Sequence, residues 1–392
     1  MNVKKILSIA SVACATLACF GTVKTPKEVI DRVCSVYQIQ NKMTGAERMA
    51  YYQKMIEKDL PTQKDLGEPR LSARGASTVI LFGDTQTYTP RMQYQPIMEL
   101  MTTWVAVNIE KLNIKGLLHT GDVVEQNNVA RAYWGANQNS KQQWEWASHC
   151  FERLDDKIPT IFSTGNHDYG HYSFDGQKSK GTSQLTKYFD VSRNEKTMHS
   201  IVEIYKEPHK PELLDNVLYR LSLGGKWGDI YILSLEFAPR KEVLAWACEL
   251  MKKYSERCVI LLTHRYLSFG DIVLPEAENI WFDFIKKSPA IKFVVCGHYS
   301  PTYTDFKSSV AFRQDTNAIG KKVYSMMFDP QSIGGGWSGN GGDGWLRILE
   351  FQPDGKTIKV STYSTLFGVS PTTKHLAWRT APYDMFEFTL DK

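Results

Sequence analysis

The sequence is short of several things, and each shortage excludes a class of protein. No apolar run is long enough to cross a bilayer: the stretch Ile6 to Phe20 falls below the roughly 18–20 residues that a spanning helix needs, and no later stretch exceeds it. A multi-spanning protein is excluded. Charge of one sign is not in excess either, because 47 Lys and Arg against 42 Asp and Glu leave +5 over 392 residues, too little for a nucleic-acid-binding face. Cysteine is sparse, with 7 residues, and Cys14 and Cys19 fall in the first segment. The other five, Cys34, Cys150, Cys248, Cys258 and Cys296, are odd in number and irregularly spaced, so no disulfide framework is expected and they read as small core residues. There is no Gly-x-Ser-x-Gly elbow for a serine hydrolase, and the glycine-rich stretch from Gly334 to Gly344 lacks the Lys-Ser/Thr of a nucleotide loop. It reads as a loop between C-terminal strands, with Trp337 placed to cover a site.

What is present begins with a sorting signal. Met1 to Lys5 is a short basic head, and the apolar run behind it ends among small residues, the pattern of a secretory signal peptide over residues 1–21. Export to the periplasm, cell surface or medium is the expectation. Cys14 and Cys19 each follow an alanine, which leaves lipidation open, and membrane contact is expected only through such a lipid or a retained signal anchor. Residues 22–77 form a separate piece. Thr25-Pro-Lys-Glu28 and Thr44-Gly-Ala-Glu47 each pair a capping hydroxyl with a glutamate three residues on, so two helices should start there, and Asp65 to Ser77 reads as a linker.

From residue 78 to 392 the pattern changes to short β-rich runs alternating with amphipathic helices, as in an α/β domain. With 42% hydrophobic residues, 10 Trp, 19 Tyr and 18 Phe, the chain can fill a large core. Expected strands are Thr78 to Phe82, Gly116 to Thr120, Pro159 to Ser163, Val217 to Leu223, Asp229 to Leu235, Cys258 to Thr263 and Ile291 to Cys296. Four more follow: Lys322 to Phe328, Trp345 to Phe351, Thr357 to Tyr363 and Met385 to Leu390. Helical stripes run through Ile97, Met101, Trp104, Val105 and Leu112, through Ala147, Cys150, Phe151 and Leu154, and through Leu244, Ala247, Cys248 and Met251.

The chemistry lies at the strand ends. The first expected strand runs into Gly83-Asp84-Thr85-Gln86, the second into Gly121-Asp122, and the third into Gly165-Asn166-His167-Asp168. Two later strands end at His264 and at Gly297-His298. Groups just beyond the carboxyl ends of strands in an α/β sheet converge on one crevice, so these residues can share a site although they span more than two hundred positions. A given tetrapeptide such as Gly-Asn-His-Asp arises by chance in about one chain in four hundred of this length, so the ordered series weighs far more than any member of it.

This series resembles the calcineurin-like metallophosphoesterase superfamily, whose blocks run Asp-x-His, Gly-Asp, Gly-Asn-His-Asp/Glu, His and Gly-His-x-His, and Gly341 to Phe351 and Thr357 to Ser364 resemble the C-terminal strands of an Asp-Thr-Gln branch. The resemblance implies a four-layer αββα sandwich, two facing mixed β-sheets flanked by helices. It also implies metal-dependent hydrolysis of phosphate esters by a metal-bound hydroxide at a dinuclear site holding two divalent ions, Mn, Fe or Zn. On that likeness Asp122 bridges the two ions, Asp84 and Gln86 face the first, and Asn166, His264 and His298 face the second. His167 is then the proton donor to the leaving oxygen, with Asp168 orienting its ring. Two positions depart from the pattern: Gln86 stands where the common block has His, and Ser300 where a second ligand His is expected. Both weaken the first metal, which should then bind less tightly, prefer a harder ion, or be completed by water or another residue. His119 reads as a core or supporting residue, His171 as a loop residue, and Arg265 as a surface residue or a phosphate contact. The expected substrate is a phosphate ester. A phosphodiesterase acting on nucleotides or lipid head groups, and a non-catalytic surface protein with a decayed first metal site, are the alternatives.

Overall fold

The computed structural model describes residues 24–29, 31, 66–132, 135–169, 181–211, 213–300, 306–334, 340–369 and 373–391. The expected signal peptide, the helix start at Thr44, Cys34, His171 and Trp337 lie outside the described residues. Among the described residues, no helix is long and apolar enough to cross a membrane.

Strands β1 (Ser77–Phe82), β2 (Ile114–His119) and β3 (Thr160–Phe162) run parallel and begin the first sheet. The next strands in the chain, β4 (Ile201–Ile204), β5 (Val217–Gly224), β6 (Gly228–Ser234) and β7 (Val259–Leu262), belong to a second sheet. A two-stranded ribbon, β8 (Leu267–Ser268) and β9 (Ile272–Val273), interrupts it. It resumes with β10 (Ile291–Cys296), β11 (Val310–Thr316) and β12 (Lys322–Phe328). The chain then returns to the first sheet as β13 (Trp345–Phe351), β14 (Thr357–Ser364), β15 (Trp378–Arg379) and β16 (Phe386–Thr389). The first sheet has the order β15-β14-β13-β1-β2-β3 with β16 beside β14, and the second the order β11-β12-β10-β7-β6-β5-β4. Both are mixed, as the αββα expectation required.

Side-chain alternation explains the layers. In β6, Ile230 and Ile232 join the core between the sheets, whereas Tyr231 and Leu233 face the opposite side of the second sheet; in β7, Ile260 and Leu262 face the first way and Val259 and Leu261 the second. A strand buried on both faces must be apolar at every position, and so it is legible as a continuous run. Helix α1 (Gln95–Asn108) carries Pro96 in its first turn, and helix α2 (Ser140–Phe151) opens with a reciprocal Asn139–Gln142 capping box. Both pack with the first sheet. Helix α3 (Lys241–Lys253) buries Val243, Leu244, Ala247, Leu250 and Met251 against the outer face of the second sheet.

The sheets are stitched together by buried hydroxyls: Ser77 donates to the Leu223 carbonyl, Ser163 to Leu235 and Ser234 to Phe162, each at 2.8 Å. The linker lies along the first sheet, where Trp378 Nε1 donates to Gly67 and the Ser72 amide donates to Glu350. At Thr25 the expected capping pair is present, with the Thr25 amide donating to Glu28 at 2.7 Å. Cys150 and Cys296 lie buried in the core, and Cys248 and Cys258 are half-buried.

Candidate metal centre

Each strand tip delivers its residue into one crevice. Asp84 follows β1, Asp122 follows β2, Asn166 to Asp168 follow β3, His264 follows β7, and His298 follows β10. The turns that make this convergence are tight. Asp122 and His298 hold positive φ angles of 51° and 70°, a conformation costing a non-glycine residue about 1–3 kcal/mol, so the surrounding structure imposes it. Glycines beside them allow close approach: a Cβ on Gly165 would stand 2.0 Å from Asp122 Oδ1, and one on Gly297 would stand 2.2 Å from Asp84 Oδ1.

Four ligand-type atoms meet at the centre of the crevice. His264 Nε2 lies 3.1 Å from Asn166 Oδ1, 3.1 Å from His298 Nδ1 and 3.2 Å from Asp122 Oδ2. His298 Nδ1 is 2.9 Å from Asn166 Oδ1. The tautomer of His264 follows from its other nitrogen: Nδ1 lies 2.9 Å from the Thr120 carbonyl oxygen, which can only accept, so Nδ1 carries the proton and Nε2 turns a lone pair inward. A carboxylate, an amide oxygen and two imidazoles facing one point form a donor set that suits a borderline divalent cation.

Asp84 stands next to this cluster. Its Oδ1 accepts from the Thr120 hydroxyl at 2.9 Å and lies 3.9 Å from His264 Nδ1, while its Oδ2 accepts from the His298 amide at 3.1 Å. Gln86 sits in the turn that follows, and its buried Oε1 has no hydrogen-bond partner among the described residues. An acceptor left so costs about 1–3 kcal/mol, which a cation would recover. The electrostatics also ask for positive charge. Burial, then the charges of Asp329 and Asp122, push the Asp84 carboxyl well above its ordinary range. Burial works in the same direction on Asp122, but His264 and His167 outweigh it and hold that carboxyl low. Burial beside His264 brings His298 down to about 3, so its ring is neutral and able to ligate at neutral pH.

The expectation that Asp168 orients the His167 ring requires correction. The Asp168 carboxylate turns inward and accepts from the amides of Val123 at 2.9 Å, Val124 at 3.3 Å and Gly165 at 2.8 Å. It clamps the turn after β2 to the turn after β3, and burial together with the Asp122 charge raises it to about 7. The residue that holds the His167 ring is Glu125, whose carbonyl oxygen lies 2.8 Å and whose Oε2 lies 3.1 Å from His167 Nδ1. Sequence reasoning missed Glu125; its signal was its place three residues past Asp122. Burial opposes a charge on His167, but Glu125 and Asp122 prevail and raise it to about 10.

His119 fills the supporting place expected of it. Its Nδ1 accepts from the Gly121 amide at 3.1 Å, so Nε2 carries the proton and donates to Thr85 Oγ1 at 2.9 Å. The Phe237 ring walls the centre, 5.7 Å from the ring of His264 and 5.6 Å from that of His298, and the Arg265 guanidinium lies over it at 5.0 Å. Ser300 is hydrogen-bonded to Ser332.

A family model described as calcineurin-like phosphoesterase matches residues 77–299. The chain is 29% identical over 316 residues to the uncharacterised protein YvnB of Bacillus subtilis. That match covers 79% of this chain and 21% of the relative, so the chain spans about a fifth of the length of the curated relative it matches. Among solved structures, GAP50, the anchor in the inner membrane complex of Plasmodium, aligns over 81% of this chain and 90% of its own at 10% identity, with a TM-score of 0.47. Purple acid phosphatase PPD1 from yellow lupin aligns over 82% of this chain and 55% of its own at 13% identity, with a TM-score of 0.43.

Proposed function

The chain belongs to the calcineurin-like phosphoesterase family, and from that premise we propose that it is an exported, metal-dependent hydrolase of phosphate esters. The observation that carries this reading is the meeting of Asp122, Asn166, His264 and His298, whose facing atoms lie 2.9 to 3.2 Å apart in the pairs His298–Asn166, His264–Asn166, His264–His298 and His264–Asp122. Divalent ions held there, with Asp84 and Gln86 serving a second position, would supply countercharge for the phosphoryl oxygens and a water acidified toward neutrality.

The protein's own groups do the rest. His167 is tethered through Nδ1 to Glu125, which leaves Nε2 as its free nitrogen and keeps the ring charged. From there it donates a proton to the departing alcohol oxygen, or stabilises the charge growing on it. The backbone amide of His167 donates to Asp122 Oδ1 at 2.8 Å, so the proton donor and the ligand move as one unit. Asp168 fixes that unit by binding the amides on either side of it. Export is supported by the basic head and apolar run at the start of the chain.

The test is hydrolysis of mono- and bis-nitrophenyl phosphate by protein stripped with a chelator and then reloaded with Mn²⁺. Activity that returns with the metal and is lost in His264→Ala supports the reading, and the faster of the two substrates assigns monoesters or diesters. No hydrolysis of either substrate with Mn²⁺, Zn²⁺, Fe²⁺ or Mg²⁺ overturns it in favour of a binding protein on the same fold.

A further inference from the structure

One more strand tip, outside the family motifs, reaches the turn that carries Asp84. β12 ends at Phe328, and the chain continues as Asp329-Pro330-Gln331-Ser332. This segment lies directly on the turn that presents Asp84: a Cβ on Gly83 would stand 2.7 Å from the Phe328 carbonyl oxygen and 2.9 Å from Pro330 Cδ. The Asp329 side chain is wholly buried. Gln331 Nε2 donates to Asp329 Oδ2 at 3.0 Å and to Asp84 Oδ2 at 3.3 Å, so one amide group stands between two buried carboxylates. A group carrying partial positive charge occupies the place where a cation would best satisfy both.

Two further observations concern the residues around it. Ser332 in this segment is hydrogen-bonded to Ser300, the position at which the second histidine of the common motif is missing, so the segment fills the ground which that histidine would cover. Gln86, two residues beyond Asp84, keeps a buried amide oxygen without a hydrogen-bond partner among the described residues. We infer that Asp329, with Asp84 and Gln86, forms an all-oxygen site for a hard divalent cation beside the Asp122–His264–His298 cluster, and that Asp329 replaces the absent histidine as ligand.

Oxygen donors without imidazole favour Mg²⁺ or Mn²⁺ over Zn²⁺, whereas the neighbouring histidine cluster suits Zn²⁺, Fe²⁺ or Mn²⁺. The centre is therefore built for two unlike ions. A half-turn of the Gln331 amide exchanges its nitrogen for its oxygen, so the side chain that bridges the carboxylates as a donor can face the ion as an acceptor.

The inference rests on the metallohydrolase reading above, and Mn²⁺ binding separates the two. Chelator-stripped protein is titrated calorimetrically with Mn²⁺, and bound metal is counted after gel filtration. Wild-type protein should bind two ions. Asp329→Asn, which keeps the shape and removes the charge, should weaken one of them by about 100-fold or more, since even groups behind the ligands are worth about 10- to 100-fold, and leave the other unchanged. Asn166→Ala should do the reverse. Gln331→Glu, which adds a carboxylate between Asp84 and Asp329, should tighten the site affected by Asp329→Asn, a gain that misfolding cannot imitate. Wild-type binding of both ions in Asp329→Asn, or no tightening in Gln331→Glu if Asp329→Asn does not fold, overturns the assignment and leaves the hydrolase reading standing. A wild-type protein that binds no Mn²⁺ overturns both.

Discussion

His264 and His298, which follow different strands, bring their ring nitrogens Nε2 and Nδ1 to 3.1 Å from one another. With the His264 proton on the opposite nitrogen, facing Thr120, its Nε2 lone pair faces His298 and is open to a cation. His264→Ala should therefore abolish phosphoesterase activity and remove one bound ion per chain, measured by elemental analysis of the purified variant.

His167 stands outside that set of ligands. Its removal as His167→Ala should lower kcat by about 10²- to 10⁴-fold, the range for a lost general acid, with metal content equal to wild type. Equal loss of metal and rate would instead place His167 among the ligands.

Glu125 sets the charge of that ring. Removing its carboxylate in Glu125→Gln takes away an interaction that raises the His167 pKa, so the protonated form is lost at lower pH. The basic limb of the kcat profile should move toward neutrality, and steady-state rates between about pH 7 and about pH 10 measure it. A profile that does not move contradicts the role given to Glu125.

Gly297 has no room for a side chain. An added Cβ would stand 2.2 Å from Asp84 Oδ1 and 2.5 Å from Thr120 Oγ1, so Gly297→Ala must displace one of them. Weaker Mn²⁺ binding is expected from a protein that still folds, seen as reduced metal content with an unchanged far-ultraviolet dichroism spectrum.

Away from the site, Asp354 reports on folding. In the turn between β13 and β14 it accepts from the amides of Lys356 and Thr357 at 2.9 Å and from the Thr357 hydroxyl at 2.6 Å. Slight burial opposes its charge, but Thr357 and the two amides win and hold the carboxyl down at about 2. A folded value below the unfolded one gives stability that is present above the unfolded value of about 3.9 and lost as pH falls through the folded one. Asp354→Ala should lower Tm at neutral pH, and its difference from wild type should close between about pH 4 and about pH 2.

The strands that stood out most plainly in the sequence were those with both faces buried. β7 and β10 show as uninterrupted apolar runs because each is covered on two sides, and the residue after each run, His264 or Gly297-His298, stands out against it. The two edge strands of the second sheet gave no such signal. β4 is only half-buried along its whole length, and β11 has no buried residue from Phe312 onward, so their residues are mixed and were not expected as strands. The site divides in the same way. Asp84, Asp122, Asn166, His264 and His298 could be found because each ends an apolar strand. Asp168 was seen but misread, since adjacency to His167 in sequence does not reveal that its carboxylate reaches back to the amides of Val123 and Val124. Asp329 escaped although it obeys the same rule: it too follows a buried strand, β12, but no glycine or histidine beside it drew attention.

The most direct measurement is the anomalous scattering of crystals soaked in Mn²⁺. The expected result is a peak bounded by Asp122 Oδ2, Asn166 Oδ1, His264 Nε2 and His298 Nδ1. Well-ordered density for these four side chains with no peak among them at saturating Mn²⁺ would contradict it.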